Sequence, residues 1–142
     1  MKMSTEEILN ALKDQKVTEF PTELFEGNKI NIVHYLNQLV NDHETTVAAL
    51  LPDLCYERSY VYQMFNGTRK PTRTFLLRLS ILLHLSFNEA QQLLLVAEKP
   101  MLYPKIRFDA VIIYALEHDL TPAGIEEILY ELKEPSLFER IS

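Results

Sequence analysis

Leu50-Leu51-Pro52-Asp53-Leu54-Cys55-Tyr56-Glu57-Arg58-Ser59-Tyr60-Val61-Tyr62-Gln63-Met64-Phe65-Asn66-Gly67 is the stretch that decides how the chain folds. Leu50 and Leu51 belong to a short apolar helix. Pro52, in its last turn or just past it, limits how far that helix extends. Cys55 then stands at a tight turn. Glu57, or the residue before it, caps a second helix, in which Val61 and Met64 face inward with Phe65 beside them. Asn66-Gly67 ends it, because Gly enters the left-handed conformation of a C-terminal cap without a Cβ clash. Two helices joined by so short a turn make a helix-turn-helix, whose second helix can lie in a DNA major groove.

With Val61 and Met64 inside, Arg58, Ser59, Tyr62 and Gln63 share another face, at i, i+1, i+4 and i+5. That face has the chemistry to read base edges. Arg can hold guanine O6 and N7 with two hydrogen bonds, Gln can hold adenine N6 and N7, and Ser can donate or accept. The plain alternative is a solvated helix face. Beyond Gly67, Thr68-Arg69-Lys70-Pro71-Thr72-Arg73 reads as a basic loop opening the next helix, with Thr72 as N-cap. Arg69 and Lys70, then Arg73 and Thr74, can meet phosphate there, and a helix N-terminus adds backbone N–H donors.

Charge is distributed unevenly. From Glu57 to Arg78 there are five basic residues (Arg58, Arg69, Lys70, Arg73, Arg78) and one acidic residue, a net of +4 in a chain of net −6. The remainder therefore carries −10. The total argues against non-specific nucleic-acid binding by the whole protein, while the island has the form of a local phosphate contact. A chance cluster on a solvated helix would have the same composition.

The other bounds are simple. A chain of 142 residues is one domain, or a domain with an appendage, and its abundant Leu and three Gly suit helices. No apolar run approaches the roughly 20 residues of a membrane span, and Met1 to Glu7 has no secretory h-region. A single Cys makes no intrachain disulfide, and these features together point to the cytoplasm. His34, His43, His84 and His118 are scattered, none at ligand spacing to Cys55, so no metal site is expected. Glu6/Glu7 and Glu126/Glu127 are adjacent carboxylates on different parts of a helix surface. With no nucleophile–base pair, phosphate loop or metal spacing, no catalytic residue and no cofactor are expected.

Working outward, Ser4 and Glu7 form a capping box for a helix from about Thr5 to Gln15. Val17 to Gly27 is an irregular arm, whose Phe20, Leu24 and Phe25 are expected to dock on the domain or a partner. Asn28 to Asn41 is helical, and Thr46 caps the first helix of the motif. After Thr72 a helix buries Phe75, Leu76, Leu79, Leu82 and Leu83, and Ser86-Phe87-Asn88-Glu89 is a second capping box. Lys99 to Pro104 separates this bundle from a C-terminal part. There Ile106 to His118 is helical, with Asp109 suiting the helix dipole. Thr121-Pro122 starts a last helix that ends at Glu134-Pro135, beyond which partial disorder is expected.

Residues Thr46 to about Ala97 resemble the Cro/lambda-repressor-like (XRE) helix-turn-helix family. The resemblance rests on Leu50-Leu51, the helix start Glu57 to Gln63, and the segment Phe65-Asn66-Gly67-Thr68-Arg69-Lys70-Pro71-Thr72. The Leu-rich helix and the start at Leu85 to Glu89 complete it. It implies an all-α, lambda-repressor-like five-helix DNA-binding bundle over 28–98, with an N-terminal helix and arm over 1–27. A C-terminal helical extension over 99–142, with Leu102-Tyr103-Pro104 and Asp109, looks like one seen in some Gram-positive bacterial regulators.

The resemblance further implies a transcriptional regulator acting on double-stranded DNA as a homodimer, with its recognition helix at 57–66. Base-reading positions match Arg58, Ser59 and Gln63, with Tyr62 on the same rim. The phosphate-contacting loop matches Asn66, Thr68, Arg69, Lys70, Thr72 and Arg73. Two departures stand out. Cys55 replaces the usual Gly, where a positive φ costs a residue with a Cβ about 1–2 kcal/mol. Tyr60 and Tyr62 make the reading helix bulky. The competing reading is a protein-interaction adaptor that keeps the fold without strong DNA binding, using the acidic surface, the arm and the C-terminal helices. Those last two helices are candidates for dimerisation, or for packing on the bundle.

Overall fold

Side-chain caps set the helix starts. Asn31 accepts from the backbone N–H groups of Val33 and His34, Thr46 from Ala49, Thr72 from Phe75 and Thr121 from Gly124. Ser86 and Glu89 form the reciprocal capping box. The computed structural model describes residues 31–139, and these residues form seven helices and no strand. They are α1 (Ile32–Asp42), α2 (Val47–Leu54), α3 (Arg58–Asn66), α4 (Arg73–Leu82), α5 (Phe87–Val96), α6 (Arg107–His118) and α7 (Pro122–Glu131). The all-α expectation holds. The expected helix at Thr5–Gln15, the arm at Val17–Gly27 and the first residues of the Asn28–Asn41 helix lie outside the described residues.

The helix ends share one device. A residue at positive φ follows each of the seven: Glu44, Cys55, Gly67, His84, Glu98, Asp119 and Lys133. Only one of these is Gly. A left-handed residue with a Cβ is disfavoured by about 1–2 kcal/mol, so something must offset it. After α1, α4, α5, α6 and α7 the next N–H reaches back to a carbonyl of the last turn, as Leu85 does to Ser80 (3.0 Å) and Leu120 to Ala115 (3.0 Å). After α2 the arrangement differs: the carbonyls of Leu54 and Cys55 both accept from Arg78.

The structure corrects the expected role of Arg78. In sequence it counts toward the charge of the basic island, yet it is 2% exposed inside α4. Its Nη1 donates to the Leu54 carbonyl (2.8 Å), Nη2 to Glu139 (2.8 Å) and Nε to Leu137. The guanidinium also lies 4.2 Å from the centre of the Tyr56 ring. An Arg can sit among carbonyls because its planar fork satisfies several acceptors at once. α4 itself is buried from Phe75 to Ile81, well beyond one stripe, since it packs against α2, α5 and α6.

One apolar core runs across the boundary expected at 98/99. It joins Leu36 and Val40 of α1, Leu54 of α2, Phe75 and Leu79 of α4, Ile112 of α6 and Leu129 of α7. The C-terminal helices thus pack on the bundle, with α6 seated on α4 and α5. The loop between α5 and α6 is held by Gln91, whose amide accepts from the Leu102 N–H (2.7 Å) and donates to its carbonyl (3.0 Å). Of the last residues, for which partial disorder is expected, 136–139 are ordered on the core, and 140–142 lie outside the described residues. Leu137 and Phe138 are buried, because Arg78 binds the backbone carbonyl of Leu137 and their side chains complete the core.

Arg78→Ala is expected to lower stability by about 3–5 kcal/mol in urea unfolding, since it leaves buried carbonyls without a donor. Cys55→Gly is expected to raise stability by about 0.5–1 kcal/mol, the relief of positive φ less the added unfolded-state entropy. It should move the urea midpoint at unchanged slope.

Candidate nucleic-acid interface

α3 is fixed from below by Val61, Met64 and Phe65, all buried. Its entry is fixed by Tyr56. That ring packs 5.1 Å from Tyr60 and 6.1 Å from Phe75, with Arg78 over its face. Burial raises the Tyr56 phenol above its ordinary pKa, while the Arg78 cation and a hydrogen bond with the Thr72 side chain pull it back. The exit of α3 is fixed by α1. Asn37 Nδ2 donates to the Phe65 carbonyl (2.9 Å), and a Cβ on Gly67 would come within 3.1 Å of the Val33 side chain. Gly67, at φ +87°, therefore serves both the turn and the close approach.

The opposite face carries the expected base-reading residues. Arg58 and Ser59 are exposed, and Tyr62 and Gln63 are half-buried. Each has a local partner. The Arg58 guanidinium lies 5.4 Å from the Tyr62 ring centre, and Ser59 donates to Glu57 Oε1 (3.1 Å). Arg69 Nε donates to Gln63 Oε1 (3.1 Å), and its guanidinium stands 4.8 Å over Tyr60. The loop after α3 thus folds back onto the reading face. These are surface contacts that each hold one rotamer at modest energy. Gln63 keeps a second lone pair on Oε1 and both donors on Nε2.

The loop residues divide. Asn66 accepts from the Thr68 N–H (2.9 Å), an Asx turn that shapes the loop. Thr68, Arg69 and Lys70 are exposed, Pro71 is buried beneath them, and Thr72 caps α4. Arg73 is different, since partners within the fold hold its partly exposed guanidinium. Its guanidinium pairs with both oxygens of Asp109 (2.9 and 3.2 Å), and it also donates to the carbonyls of Pro100 (2.8 Å) and Met101 (3.3 Å). Asp109 is 2% exposed and accepts a further bond from the Tyr103 N–H. Its carboxylate serves this buried pair as well as the dipole of α6. The open charge of the region is therefore Arg58, Arg69 and Lys70 against Glu57, a net of +2 rather than +4.

Sequence reasoning missed Tyr56, the inward role of Arg78 and the Arg73–Asp109 pair. One signal was available: Arg78 is flanked by Leu on both sides within Phe75-Leu76-Leu77-Arg78-Leu79-Ser80-Ile81. A cation in such a run is either exposed on a narrow stripe or buried with partners. For Arg73 and Asp109 no local signal exists, since 36 residues separate them.

No family model matches the chain, and no curated protein or solved structure matches it. Among the described residues no three His, Cys, Asp or Glu side chains gather as metal ligands, and no helix is long and apolar enough to cross a membrane.

Arg73→Ala is expected to lower stability by about 3–5 kcal/mol by stranding the buried Asp109 carboxylate. Adding Asp109→Asn should recover part of that loss. A urea-unfolding double-mutant cycle would measure the coupling directly.

Proposed function

We propose that this protein is a sequence-specific, DNA-binding transcriptional regulator that lays α3 in the major groove. The supporting observation is the two-sided character of α3. Val61, Met64 and Phe65 anchor it, while Arg58, Ser59, Tyr62 and Gln63 lie on the other side, next to exposed Arg69 and Lys70. In this reading Arg58 and Gln63 contact base edges and Ser59 adds a short contact, with Tyr62 stiffening Arg58 from beside it. Arg69, Lys70 and the start of α4, together with Asn66, Thr68 and Thr72, follow the phosphate backbone. α1 to α5 are the lambda-repressor-like bundle of the XRE family.

The small open charge has a consequence. Counterion release scales with the phosphates neutralised, so a face with three free cations in a net-acidic chain binds random DNA weakly. Base contacts then carry an unusually large share of affinity, and a two-fold dimer doubles them. Two copies of α3 set one helical turn apart, about 34 Å, would meet paired half-sites.

A second reading has an observation of its own. The large exposed apolar side chains among the described residues all fall between Leu95 and Leu132, and include Tyr103, Tyr114 and Tyr130. A shallow groove of about 380 Å³ between α6 and α7, lined by Val111, Tyr114, Ile128 and Leu132, lies among them. Concentrated exposed apolar surface marks an association face, which serves a homodimer or an adaptor holding a protein partner.

Selection from random oligonucleotides at stated salt, followed by binding titrations, tests the first reading. Arg58→Ala should cost about 1–3 kcal/mol and relax preference at one base position. Lys70→Ala should weaken all sequences alike and reduce the salt slope by about 1. A selection that enriches no sequence, with both variants binding like the wild type, would sink this reading in favour of the adaptor.

A further inference from the structure

The chain beyond α7 returns to the turn before α3 and is held there by two clasps. At the first, Glu126 of α7 accepts from the Ser136 hydroxyl at Oε1, and from the N–H groups of Leu137 (3.0 Å) and Phe138 (3.2 Å) at Oε2. At the second, Arg78 binds the carbonyls of Leu137 and Glu139 with one part of its fork, and those of Leu54 and Cys55 with the other. The side chains of Leu137 and Phe138 are buried, whereas Ser136 is exposed. The catch is thus outside while the parts it secures are inside.

We propose that residues 135–139 are a releasable latch on the turn leading into α3, and that Ser136 is its modification site, accepting a phosphoryl group. The reaction is phosphoryl transfer from a nucleoside triphosphate, brought by a protein kinase. The Ser136 Oγ–P bond forms, the bridging bond to the diphosphate leaving group breaks, and the hydroxyl proton passes to the kinase's base. The product carries about −1.5 to −2 charges and has lost its donor. It lies in an open cleft of about 430 Å³ whose charged lining, among the described residues, is Glu126, Glu127 and Glu134. A phosphoryl group there faces the Glu126 carboxylate at contact distance, so the first clasp opens.

Opening passes to the second clasp by hydrogen-bond accounting. Once Leu137 and Phe138 lose Glu126, the tail carbonyls leave Arg78 as well. The guanidinium is then buried with half of its acceptors gone and must reorganise. What remains to it is the Leu54–Cys55 turn, where Cys55 sits at φ +62°. That turn aims α3. The latch would connect tail and turn whatever α3 binds, so the inference stands apart from the DNA-binding reading.

The full chain with phosphoserine encoded at position 136 provides the test, and Cys55, its single cysteine, is a built-in probe of the turn. Amide exchange at Leu137 and Phe138 should quicken about tenfold or more, and reaction of Cys55 with an aromatic disulfide reagent about threefold or more. Protection at Leu93 and Ile112 should stay as in the unmodified protein. Ser136→Ala, which keeps the Oε2 bonds, should leave Cys55 reactivity within about twofold, while Glu126→Ala, which removes the acceptors altogether, should open the latch without phosphate. Slow exchange at Leu137 in the phosphoserine protein overturns the proposal. So does fast tail exchange with Cys55 unchanged, which would make the tail a passive cover, or loss of protection at Leu93, which would mean general unfolding.

Discussion

A single buried cation ties this fold together. Arg78 sits in the middle of α4, among residues that are otherwise mostly apolar and buried. Burying a guanidinium is costly unless its donors are matched, and here they are matched by carbonyls drawn from the end of α2 and from the tail after α7. That requirement makes the turn at Cys55 and the tail at Leu137 one unit. Tyr56 and Phe138 close over the guanidinium from the ring faces. Remove the cation and both segments keep polar groups that water cannot reach.

The Arg73–Asp109 pair repeats this logic one helical turn or so earlier. It joins the start of α4 to the start of α6 and gathers the carbonyls of Pro100 and Met101 on the way. Two of the five cations in the basic island therefore organise the scaffold, and three stay exposed at the surface. The surface of α3 gains precision from this: its base is anchored by packing and its entry by Tyr56, so the exposed side chains ride on a rigid element.

The helix ends show how a chain with three Gly makes seven sharp stops. Six of the left-handed positions carry side chains, and most are stabilised by a backbone bond closing the last turn. At His84 and Asp119 two such stops meet, and the imidazole bonds to the carboxylate across them. Backbone bonds within the last turn, rather than glycine, offset the local strain, so Gly marks only the end of α3.

By itself the sequence determined the helices, because caps and apolar spacing act within a few residues. Thr46, Thr72, Ser86 and Thr121 begin their helices for reasons visible in the next three positions. The polar face of α3 followed from the same spacing. The tertiary structure alone decided which cations face water. Arg58, Arg69 and Arg73 look alike in sequence and only the apolar run around Arg78 sets it apart, while the fate of each depends on whether a carbonyl or carboxylate from a distant segment arrives at bonding distance. Charge is a property of the residue. Its availability depends on neighbours that chain order does not specify.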